Sequence, residues 1–89
     1  MKKSLIIIED DQRFRETLEI EFKERGYEVS VGASTTTIPA KNFEGLNFAI
    51  VDLRLGEQSG LNEIKKILKL SPACRILMLT GFGSIATAV

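Results

Sequence analysis

The 89-residue sequence has no histidine and no tryptophan, one cysteine and two prolines. Without histidine, Ser-His and Cys-His nucleophile systems and imidazole metal sites are excluded. The lone Cys74 rules out an intramolecular disulfide and any multi-cysteine zinc centre. Neither sign of charge is in excess: Lys plus Arg and Asp plus Glu number 12 each. Nothing therefore favours nucleic acid or an acidic membrane as a direct partner. Long hydrophobic runs are also missing. Met1-Lys2-Lys3 ahead of Leu5 to Ile8 faintly resembles a signal peptide, but Glu9 to Asp11 cut the apolar stretch short, and no other stretch is long enough to span a bilayer. The default compartment is the cytoplasm. A chain of this size makes one domain at most, burying a little over roughly 60% of its unfolded surface around a single core.

What is present is an alternation. Leu5-Ile6-Ile7-Ile8, Phe48-Ala49-Ile50-Val51 and Ile76-Leu77-Met78-Leu79 are continuous apolar runs, which is how strands covered on both faces of a parallel sheet read. Between Gln12 and Arg25, Phe14, Leu18 and Phe22 recur every four positions and predict an amphipathic helix with these three in the core. Asp10 or Asp11 can cap its start and Gly26 supplies its stop. Tyr27, Val29 and Val31 alternate with polar residues, predicting a half-exposed edge strand. A further helix is predicted from a Ser59 cap through Leu70, with Leu61, Ile64, Ile67 and Leu68 on one side and Pro72 beyond its end.

Two segments are weaker. From Ser34 to Asn47, three successive threonines and Pro39 allow at most a short helix. After Ile76 to Leu79, Thr80-Gly81-Phe82-Gly83 reads as a loop, with Ser84 as a possible cap for a helix beginning in Ile85 to Val89. The order is β-α-β-α-β-α-β followed by a helix start, and right-handed crossovers stack such units into a doubly wound α/β sheet. Five or six residues cannot nucleate a helix alone, and the Ile76 to Leu79 strand would form an open apolar edge, able to associate with another chain.

The chemistry gathers at strand ends. Glu9-Asp10-Asp11 follow the first apolar run and Asp52 ends the third strand, so two buried strands deliver carboxylates to one place, at the carboxyl ends where open parallel sheets carry ligands. Carboxylates within roughly 5 Å repel by about 3 kcal/mol per pair at an effective dielectric near 20, so such a site favours a cation or a proton. Taken singly, an acidic residue after a strand is more commonly a helix cap, which is the plainer reading of Asp11. Cys74, near a strand start, reads as a small packed side chain and not as a redox sensor.

Ile7-Ile8-Glu9-Asp10-Asp11, Asp52-Leu53-Arg54-Leu55 and Leu79-Thr80-Gly81, in this order and spacing, resemble the receiver domain of two-component response regulators. The stretches from Val51 to Gly56 and from Thr80 to Val89 are similar in particular to the RegA/PrrA/ActR-type redox-responsive transcription regulators. The resemblance implies a flavodoxin-like receiver with strand order 2-1-3-4 over residues 1–89, incomplete at its C-terminal end because the fifth strand, with its lysine and aromatic switch residue, and the last helix are missing. By the same resemblance Asp52 is the phosphoacceptor and Thr80 the switch hydroxyl. Glu9, Asp10, Asp52 and the backbone carbonyl of Arg54 then hold Mg2+ (or Mn2+). The partners implied are a sensor histidine kinase and a DNA-binding output domain, with no direct nucleic-acid or membrane contact by this segment. Magnesium suits this donor set, since it accepts carboxylate, carbonyl and water oxygens and leaves positions for phosphate. Gly56 stands where the family often has proline.

Two other readings use the same residues. One is a phosphorylation-independent interaction module of the same fold. The other, a small magnesium-dependent phosphatase, finds no Gly-x-Gly-x-x-Gly fingerprint, no P-loop and no second acid two residues beyond Asp52.

Overall fold

The computed structural model describes residues 2–52, 57–79 and 85–88; of 57–59 and 85–88 the backbone alone is described. Four strands run parallel: β1 (Ser4–Ile8), β2 (Glu28–Gly32), β3 (Phe48–Asp52) and β4 (Arg75–Leu79), and a fifth, β5 (Ile85–Ala88), closes the sheet in the order β2-β1-β3-β4-β5. The parallel part has the expected order 2-1-3-4. Ile6, Ile7 and Ile8 are almost wholly buried because β1 pairs with β2 on one side and β3 on the other, with a layer of chain on each face.

One face carries α1 (Gln12–Glu24). Asp11 is its cap, its carboxylate accepting the Phe14 N–H at 3.2 Å, and Gly26 ends it with φ at +93°, a conformation that costs glycine little. Leu18 and Phe22 pack on Leu5, Ile7 and Ile50 together with Tyr27, Val29 and Val31. The expected core positions Phe14, Leu18 and Phe22 are half-buried, however, and no residue of α1 is fully buried. Among the described residues α1 is the one helix on this face, so its flanks stay open to water. Tyr27 stands edge-on to both Phe22 and Phe48, with ring centroids 5.7 and 6.1 Å apart.

The other face carries α2 (Glu57–Leu70) and the connection between β2 and β3. Ile64 and Ile67 join Ile6, Ile8, Ala49, Val51 and Ile76, with Cys74 packed in the same cluster as expected. The helix begins at Glu57, not after Ser59: Glu57 and Gln58 are good helix formers, and an acidic side chain suits a first turn. Its buried stripe runs through Gly60, Glu63, Ile64 and Ile67, which leaves Leu61 at the margin, 41% exposed.

In the β2–β3 connection the helix gives way to two 3-10 turns, Thr35–Thr37 and Ala40–Phe43. The Thr37 hydroxyl donates to the Ser34 carbonyl at 2.7 Å, the local competition that makes threonine a poor interior helix residue. Ile38, Phe43 and Leu46 are buried from here against the sheet.

The segment expected to start a helix, Ile85–Ala88, is instead β5, antiparallel to β4 with Leu79 opposite Ile85 and Ile76 opposite Ala88. Pairing with β4 satisfies backbone groups that an edge strand would leave unpaired, and β-branched Ile85 and Thr87 suit a strand. The expected association through an open β4 edge is corrected with it, since β5 occupies that edge. No helix among the described residues is long and apolar enough to cross a membrane.

Candidate functional site

The β1–β3 register sets Ile8 beside Val51, so the residues that follow, Glu9 and Asp52, leave neighbouring strands at one level. Both are buried, with 1% and 0% of their surface exposed. Adjacent strands lie about 4.8 Å apart, which brings these two carboxylate-bearing backbones together at the carboxyl end of the sheet. Asp10 lies in the turn to α1 and is exposed.

Glu9 is fixed from several directions. Its N–H donates to the Gly32 carbonyl at 3.0 Å, extending the β1–β2 ladder by one step. Its Oε1 accepts the Asp11 N–H at 3.0 Å, and its carbonyl oxygen accepts Nη1 of Arg15 at 2.9 Å. The N-terminus of α1 therefore abuts the acidic site, and its partial positive charge favours anions there. Gly32 closes the other side: a Cβ on it would run into Oγ1 of Thr37 and lie 3.0 Å from Cγ1 of Ile38.

Of the residues singled out in the sequence, the structure brings Glu9 and Asp52 to one level of the sheet and leaves Asp10 exposed in the turn after β1. Arg54 and Thr80 lie outside the described residues, as do Leu53, Leu55, Gly56 and residues 81–84. Among the described residues no group of three or more acidic or cysteine side chains forms a metal cage. The buried carboxylates of Glu9 and Asp52 have the chemistry of a Mg2+ site, since that ion is commonly held by one or two carboxylates, with water and phosphate oxygens completing its shell.

Sequence reasoning missed Arg15 and Glu63. Arg15 reads as one more charge on a solvated helix face, and only its reach back over the β1–α1 turn reveals its contact. Glu63, 8% exposed, lies on the buried stripe of α2 beside Ile64, a position where a charge is unexpected.

With this geometry, comparison with known proteins is decisive: residues 5–89 match the response regulator receiver domain, and the chain belongs to that family. Among curated relatives it is 40% identical over 88 residues to the acid tolerance regulatory protein ActR of Sinorhizobium medicae, covering 98% of this chain and 45% of that protein. It is 35% identical over 88 residues to the photosynthetic apparatus regulatory protein RegA of Cereibacter sphaeroides, covering 98% and 48%. The chain thus spans about half the length of these relatives, which bear out the likeness to the RegA and ActR group. A solved response regulator from Burkholderia pseudomallei, which carries a phosphorylated aspartic acid, a calcium ion and citrate, superimposes with a TM-score of 0.75 at 35% identity, over 93% of this chain and 49% of that one.

Proposed function

We propose that residues 1–89 act as the phosphoacceptor receiver of a cytoplasmic two-component response regulator, a signalling module and not an enzyme with its own substrate turnover. The observation that carries the reading is the side-by-side burial of Glu9 and Asp52 at the ends of β1 and β3, in a chain whose homologue of known structure holds a phosphorylated aspartate and a divalent cation. Buried carboxylates are uncommon, and two of them at the carboxyl ends of neighbouring parallel strands support a site for chemistry.

In this reading an Oδ of Asp52 attacks the phosphorus of a phosphohistidine on a sensor kinase. The N–P bond breaks, the imidazole leaves with its electron pair, and an acyl phosphate forms on Asp52. The absence of histidine from this chain agrees with a donor histidine on the partner. A bound Mg2+ supplies charge neutralisation between carboxylate and phosphoryl oxygens. Glu9, Asp10, Asp52 and the Arg54 carbonyl are its proposed ligands, and Thr80 the proposed hydroxyl that closes on the phosphoryl group. A DNA-binding output in the intact protein is the proposed recipient of the change of state, by analogy with regulators about twice this length.

The test is to incubate the intact protein with Mg2+ and acetyl phosphate, and in parallel with beryllofluoride. An acid-stable, hydroxylamine-labile phosphoryl adduct on Asp52, absent from Asp52→Asn and without added Mg2+, is expected. A protein modified elsewhere, or equally in both variants, would overturn the assignment.

A further inference from the structure

Arg15 is the fourth residue of α1, and side chains on a helix lean toward its N-terminus. The guanidinium accordingly reaches back over the β1–α1 turn to donate to the carbonyl oxygen of Glu9. That oxygen belongs to the peptide joining Glu9 to Asp10. The N–H side of Glu9 is held by Gly32 and its carboxylate by the Asp11 amide, so this hydrogen bond fixes the remaining freedom, the plane of the Glu9–Asp10 peptide. Asp10 is exposed, and its direction over the site depends on that plane.

We infer that Arg15 is a positioning residue of the acidic site, holding the Glu9–Asp10 peptide so that the Asp10 carboxylate is presented beside Asp52 for a divalent cation. The inference rests on the metal-binding reading of the site and adds to it a residue that touches neither the cation nor the phosphoryl group. Outer partners that orient a ligand commonly carry a tenfold or larger share of metal affinity.

The sign of the effect separates this role from a merely electrostatic one. By Coulomb's law, removing a guanidinium from an acidic neighbourhood strengthens cation binding. Loss of positioning weakens it.

The experiment is an Mg2+ titration of the intact protein followed by amide shifts of Ile8, Asp10 and Asp11, for the wild type, Arg15→Met, Arg15→Lys and Asp52→Asn. Arg15→Met is expected to bind roughly tenfold more weakly, with Arg15→Lys between it and the wild type. In the metal-free protein the Asp11 amide of Arg15→Met should exchange faster, while shifts in β3 and β4 and the melting temperature stay close to the wild type. Unchanged or tighter Mg2+ binding by Arg15→Met, with Asp52→Asn impaired, would overturn the role of Arg15. Equal affinity in the wild type and Asp52→Asn would overturn the underlying reading of the site.

Discussion

Glu63, on α2, accepts the backbone N–H of Thr35 through Oε2 at 2.8 Å, a buried bond between residues far apart in the chain. It joins the helix to the first 3-10 turn of the β2–β3 connection, where no regular ladder could satisfy that amide. Glu63→Ala leaves the buried N–H without its acceptor and is expected to cost about 1–3 kcal/mol, whereas Glu63→Gln, which keeps an acceptor oxygen, should cost less. Lys66, 4.0 Å from Oε1 and 53% exposed, adds little by comparison, and Lys66→Ala should be near neutral. Urea unfolding of the three variants measures the order; a Lys66 effect equal to that of Glu63 would contradict it.

Gly32→Ala should destabilise by about 1–3 kcal/mol through overpacking. The new methyl meets Oγ1 of Thr37, and that oxygen is held by its bond to the Ser34 carbonyl. Adding Thr37→Ala should relieve part of the strain, so the double variant is expected to be more stable than the sum of the single losses. Strict additivity in thermal melts would show that the two residues do not conflict.

Burial pushes the Cys74 thiol up from its ordinary 9.0 to about 11. At neutral pH it is almost wholly protonated, and alkylation by iodoacetamide should be slow in the folded protein and rapid in urea. Between pH 9 and about 11 the unfolded chain has lost the thiol proton that the folded chain keeps. The associated stability is therefore complete below about pH 9 and falls as pH rises through that window. Cys74→Ala should flatten this part of the stability–pH curve, and equal slopes in both proteins would refute the assignment.

Mg2+ should raise the stability of the wild type, by about 2.7 kcal/mol at a concentration 100 times its dissociation constant. The increment should be much smaller in Asp52→Asn and Asp10→Asn. Calorimetric melts with and without Mg2+ provide the measurement. Equal increments in all three proteins would place the cation elsewhere.

The elements that the sequence made legible are those whose signals are local and strong. β1, β3 and β4 are unbroken apolar runs, α1 has its cap and its glycine, and β2 alternates as an edge strand does. Asp52 and Glu9 could be placed together because strand ends in a parallel sheet converge whatever the side chains between them do. The misread parts depend on tertiary partners. Ile85–Ala88 carries both a cap residue before it and β-branched side chains within it, and the vacant side of β4 decides between helix and strand. Leu61 and Glu63 exchange their expected burial because α2 turns its stripe toward Thr35. Arg15 finds a backbone carbonyl, a partner that no spacing of side chains announces.

The order in which the sheet can assemble follows from its registers. β1 meets β2 directly across α1, but meets β3 only after the chain has returned through the whole connection from Gly32 to Phe48, and closing longer loops costs more entropy. A nascent β1-α1-β2 unit therefore carries Glu9 and Asp10 before Asp52 arrives, and the carboxylates converge only in the step that docks β3. The charge repulsion of the acidic site thus falls on the later part of folding. Neutralising Asp52 should then change the unfolding rate much more than the refolding rate, leaving the early β-α-β nucleus indifferent to the chemistry it will later hold.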